Sequence, residues 1–67
     1  MKIKSNLPSI MEREGLSVRG LADRTGMSTN TIMKARDERI GTRYFEVVIK
    51  IAAALGVSVE ALFTIEE

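Results

Sequence analysis

The sequence predicts an all-α domain of five short helices, and three observations carry that expectation. Apolar residues recur at three- and four-residue intervals. Ser17, Ser28 and Ser58 stand where helix N-caps belong. Gly15, Gly26 and Gly56 close the stretches before them. No segment alternates long enough to read as a strand. Met1–Ser5 does alternate, but it is too short and too near the end to count.

The first helix runs from about Leu7 to Glu14, with Leu7, Ile10 and Met11 inward. Pro8 near its start is harmless there, because that N–H has no intrahelical partner. The second begins after Ser17 and turns Val18, Leu21 and Ala22 inward, ending near Thr25. Gly20 inside it costs about 1 kcal/mol relative to Ala. Ser28 caps the third, expected over about 28–37, with Ile32 and Ala35 inward. The fourth covers roughly Tyr44–Leu55 with Phe45, Val48, Ile49 and Ala52 as its buried stripe. Ser58 caps a short fifth helix anchored by Leu62 and Phe63.

The chain has 67 residues, so it is expected to form a single domain, residues 1–67. A chain of this size buries only about 60% of its extended surface. A domain this small rarely encloses the ~300 Å³ or more that a small-molecule pocket needs. There is no Cys and no His, which removes disulfides, thiol chemistry, the usual zinc sites and His-based proton transfer. Glu12 and Glu14 are two residues apart and share no helix face, so they do not form a carboxylate pair. Ser5, Ser9 and Ser17 have no base arranged to activate them. The expectation is therefore no enzyme, no cofactor and no metal. Met1–Asn6 lacks a signal-peptide core, and Ile51–Val57 is far short of the ~20 residues that span a bilayer. A cytoplasmic location without membrane association is expected.

Formal net charge is +1, but residues 1–43 carry nine basic and five acidic side chains, and residues 44–67 one basic and four acidic. Such a division suits one face for an anionic partner and another that avoids it.

The informative stretch is 17–37, two short helices joined by Thr25-Gly26-Met27. A turn this tight, with Gly at a positive φ, sets the two helices at a large angle. Leu21, Ala22, Gly26 and Ile32 together read as a DNA-binding helix–turn–helix. On the outer face of the third helix, Thr29 and Asn30 lie in the first turn and Met33 and Lys34 one turn later. Asn can bond adenine bidentately, Lys can donate to guanine, and Thr or Met can meet a thymine methyl. Phosphate contacts are expected from Ser17 and Arg19 at the second helix, from Ser28 at the third, and from Arg39, Thr42 and Arg43 in the following loop.

Three segments carry a resemblance: Glu14-Gly-Leu-Ser-Val-Arg-Gly-Leu-Ala, Thr25-Gly-Met-Ser-Thr-Asn-Thr-Ile, and Ile51-Ala-Ala-Ala-Leu-Gly-Val-Ser-Val-Glu-Ala-Leu. The sequence resembles Cro/repressor-type, or lambda repressor-like, helix–turn–helix domains over about Asn6–Phe63. The resemblance implies a five-helix fold whose third helix reads bases, here through Thr29, Asn30, Met33 and Lys34. It also implies a homodimer formed through the C-terminal region 57–67, with Val57, Val59, Phe63 and Ile65 as contacts. The acidic residue and Gly usual after the family's recognition helix are replaced by Arg36, Asp37 and Glu38, and Glu38 suggests that the helix runs on a little.

The plainer readings stand beside these. Met11 and Met27 fall on core faces and read as packing. Arg24 reads as solvated charge. Asn30 and Lys34 would be ordinary surface residues on any other helix, and Phe63 and Ile65 could simply close the core. The reading adopted is a sequence-specific regulator of double-stranded DNA, a repressor by resemblance, bound as a homodimer. The alternatives are an antitoxin, or a helix–turn–helix used only for a protein partner such as a toxin or co-regulator.

Overall fold

The computed structural model describes residues 1–42 and 44–67, with Glu38 described by its backbone alone. The order of elements is β1 (Lys2–Ser5), α1 (Leu7–Glu14), α2 (Val18–Thr25), α3 (Thr29–Ala35), a 3-10 segment Glu38–Thr42, α4 (Phe45–Leu55), a second 3-10 segment Val59–Leu62, and β2 (Phe63–Glu66). The helical character is as expected. The expected fifth α-helix is instead the 3-10 turn Val59–Leu62, and Ser58 makes no side-chain cap to it.

The two short strands correct the expectation that no segment, Met1–Ser5 included, forms a strand. β1 pairs antiparallel with β2, in the register Lys2↔Glu66, Ile3↔Ile65, Lys4↔Thr64 and Ser5↔Phe63. Neither four-residue strand would persist alone. Their pairing joins the two ends of the chain, which no local window of sequence displays. Asn6 reinforces the join, its N–H donating to the Leu62 carbonyl at 2.8 Å and its side-chain amide to Thr64 Oγ1 at 3.0 Å.

One apolar core lies between the helices. Leu7, Leu21, Ile32, Ile51 and Leu62 are its largest fully buried side chains. Leu7, Ile10 and Met11 of α1 and Leu21 and Ala22 of α2 are buried as the spacing predicts. In α4 the buried stripe is Val48, Ile51, Ala52 and Leu55. Phe45, 68% exposed, and Ile49, 43% exposed, do not belong to it. The predicted stripe is rotated by a fraction of a turn from the observed one. Only Glu46 and Lys50 interrupt the apolar run of α4, and they join in an i, i+4 ion pair at 3.2 Å. So few polar positions leave the phase of the helix undetermined.

α3 is also shorter than expected, ending at Ala35 with Arg36 as its C-cap. Asp37 accounts for the stop. Its Oδ1 accepts the Arg39 N–H at 2.8 Å, an Asx turn that competes with helix continuation, and the backbone proceeds as the 3-10 segment.

The turn between α2 and α3 depends on Gly26, which sits at φ 72°. Its N–H and that of Met27 both return to the Ala22 carbonyl, at 2.8 and 3.2 Å. Gly26→Ala is expected to lower stability by about 1–2 kcal/mol, the cost of a left-handed conformation for an L side chain. Urea unfolding of the two proteins measures this.

Candidate nucleic-acid interface

The helix–turn–helix comprises α2, the Gly26 turn and α3. Each helix starts on a serine whose hydroxyl replaces a missing intrahelical acceptor. Ser17 Oγ accepts the Gly20 N–H at 3.0 Å, and Ser28 Oγ accepts the Thr31 N–H at 3.2 Å. A Cβ at Gly20 would lie 3.1 Å from Leu16 Cδ1 and 3.2 Å from Ser17 Oγ, so a larger residue there would press on both side chains. Thr25 Oγ1 donates back to the Leu21 carbonyl at 2.9 Å and steadies the end of α2.

α3 has two faces. Ile32 and Ala35 are completely buried, while Thr29 and Asn30 are exposed and Met33 is 54% exposed. Lys34 is half-buried, so its stem lies along the protein surface. Among the described residues, none of the side chains of Thr29, Asn30 and Lys34 makes an intramolecular hydrogen bond or ion pair. The four candidate base-reading residues therefore lie together on one helix, and among the described residues their polar groups have no side-chain partner.

The candidate phosphate contacts are more varied. Ser17, Arg19 and Ser28 are exposed at the starts of α2 and α3. Arg39 is held by Asp37, with Nε 3.1 Å from both carboxylate oxygens and Nη2 2.8 Å from Oδ2. A phosphate at Arg39 has to compete with that carboxylate. Thr42 Oγ1 donates to the Arg39 carbonyl at 2.7 Å. Arg43 lies outside the described residues.

The Arg39 side chain holds the Asp37 carboxyl below the usual aspartate range, with the Arg39 backbone N–H adding to the effect. A depressed carboxyl stabilises the folded state fully above its unfolded pKa of about 3.9, and that contribution fades as pH falls through the folded value. Arg39→Ala is expected to move the Asp37 midpoint upward in a carboxyl-carbon NMR titration. The stability difference between the two proteins should shrink below that pH. Both side chains of this pair stand largely in solvent, which screens the interaction, so the effect on stability is small.

Among the candidate dimer contacts, Val57, Val59 and Phe63 pack partly against the core, and Ile65 is 51% exposed. Phe45, expected in the core, instead borders an apolar groove of about 190 Å³ lined also by Ile3, Val48, Val59 and Phe63. The groove brings two of the candidate dimer contacts together with α4.

No helix among the described residues is long and apolar enough to cross a membrane. A model of the Cro/C1-type HTH DNA-binding domain family matches residues 6–67. Searches of curated proteins and of solved structures return no match.

Proposed function

Because the chain belongs to the Cro/C1-type HTH DNA-binding domain family, we propose that it is a sequence-specific regulator of double-stranded DNA that acts from the cytoplasm by occupying its site. α3 enters the major groove, where Thr29, Asn30, Met33 and Lys34 meet base edges. Ser17, Arg19, Ser28, Arg39, Thr42 and Arg43 supply phosphate contacts that fix the register. The observation that carries this reading is the exposed α3 face, whose polar side chains have no partner among the described residues, opposite the completely buried Ile32 and Ala35.

One α3 reads only a few base pairs, so the reading includes a symmetric homodimer. Val57, Val59, Phe63 and Ile65 contribute to its interface, and the exposed Phe45 beside them supports an apolar contact there. Repression is the expected sign, from the resemblance to Cro/repressor-type domains and not from any residue. The same exposed Phe45 and Ile49 favour a second reading, an antitoxin or other module that binds a protein partner.

Selection from a random duplex library at about 150 mM salt, where pure backbone attraction is suppressed, tests the proposal. Enrichment of an inverted repeat with half-sites about 34 Å apart is the expected result. Binding without any enriched sequence would overturn it in favour of the protein-partner reading.

A further inference from the structure

β1 carries two lysines that the reading above does not use. Lys2 and Lys4 are exposed and alternate with the half-buried Ile3 and Ser5, so the strand presents both lysines on its outer side. β1 is fixed against the end of α3, because the Ser5 hydroxyl donates to the Ala35 carbonyl and also accepts the Leu7 N–H at 3.2 Å.

Arg36 connects this strand to the candidate interface. It follows α3 with helical dihedrals, φ −87° and ψ −4°. Positions 29, 33 and 36 are spaced i, i+4 and i+7, so exposed Arg36 continues the stripe of Thr29 and Met33. Two surface clefts meet at Arg36. One, of about 320 Å³, is shared with Ser17 and Val18 at the start of α2. The other, of about 360 Å³, is shared with Lys2 and Lys4. Arg36 thus stands between the two clefts, with Ser17 bordering one and Lys2 and Lys4 the other.

Carboxylates also face these clefts. Glu12 borders the first, and Asp37 and Glu66 border the second. Asp37 is taken up by Arg39, and Glu66 stands opposite Lys2 in the strand register. Among the described residues no ion pair involves Lys2, Lys4 or Arg36.

We propose that Lys2, Lys4 and Arg36 form a second phosphate-binding wing, which extends the DNA contact beyond the C-terminal end of α3 along the sugar-phosphate backbone. The proposal rests on the DNA-binding reading above. Lysine ammonium groups act as point charges for phosphate, and the Arg36 guanidinium can grip one bidentately. Long exposed cations of this kind add affinity without choosing a sequence.

The test compares salt titrations of the intact protein with those of K2Q/K4Q, R36Q, R36K and K50Q, on a duplex obtained by the selection above. Lys50 lies on α4, paired with Glu46, and serves as a control for net charge. Removing one cation from a phosphate is expected to flatten the log–log salt slope by about 0.9, so K2Q/K4Q should flatten it by up to about 1.8. R36Q should flatten it by about 0.9, R36K should largely restore it, and K50Q should leave it unchanged. The selected sequence should be the same for every variant.

Specific binding with equal slopes in the intact protein and the wing variants would overturn the wing and leave the DNA reading standing. Equal flattening by K50Q would overturn it as well, by reducing the effect to net charge. Failure of the intact protein to bind any duplex would overturn both readings.

Discussion

Asn30→Ala combined with Lys34→Ala is expected to remove most of the preference for the selected duplex while leaving the fold intact. Asn30 is exposed on α3 and Lys34 half-buried, and neither side chain has a hydrogen-bond partner among the described residues. Truncation therefore leaves no orphaned polar group inside the protein. A bidentate contact to a base edge discriminates by about 1–3 kcal/mol, so each single variant should lose roughly 5- to 150-fold in affinity. The double variant should approach the level of a scrambled duplex, keeping only what Thr29 and Met33 add to the phosphate contacts. Titrations of both duplexes at fixed salt supply the ratio. A double variant that keeps the full preference for the selected duplex would move base reading away from Asn30 and Lys34.

The parts of the molecule legible in the sequence are those whose determinants are local. Ser17, Ser28 and Gly26 mark the helix–turn–helix because a cap or a positive φ depends on one residue and its near neighbours. The exposed face of α3 follows from the burial of Ile32 and Ala35, whose spacing the sequence displays. The end of α3 is less legible. It depends on the Asp37 side chain competing for a backbone N–H, and helix periodicity carries no record of that competition. The phase of α4 is hidden by the chain's own apolar excess. Val48, Ile49, Ile51 and Ala52 are all acceptable in a core, so only packing selects which face turns inward. The β1–β2 pair is hidden by distance, since the partner of Ile3 is Ile65. The Ser5–Ala35 bond that holds Lys2 and Lys4 near the end of α3 is equally non-local, so the surface they form has no signature in any window of sequence.

The opposed faces of α3 make Ile32 and Met33 a pair that separates stability from recognition. Ile32 is completely buried and contributes to the core beneath the helix, whereas Met33, one position on, is 54% exposed. Ile32→Ala removes three buried carbons and leaves a cavity, at a cost of about 2–5 kcal/mol. For 67 residues the whole stability is only about 3–10 kcal/mol. Ile32→Ala should therefore leave a large part of the protein unfolded near 37 °C, with a midpoint lowered by ten degrees or more, since each kcal/mol shifts a domain of this size by about 4–8 °C. Met33→Ala should change stability by no more than about 0.5 kcal/mol, the range typical of surface sites. In DNA binding the order reverses per folded molecule. Met33→Ala should weaken binding to the selected duplex directly, by removing an apolar group that meets a base. Ile32→Ala should weaken it only in proportion to the unfolded fraction, and a low temperature that refolds it should recover the affinity. Calorimetric unfolding together with titrations at 10 and 37 °C distinguishes the two. If folded Ile32→Ala remained as deficient as Met33→Ala, then the core would be shaping the α3 surface and not merely supporting it.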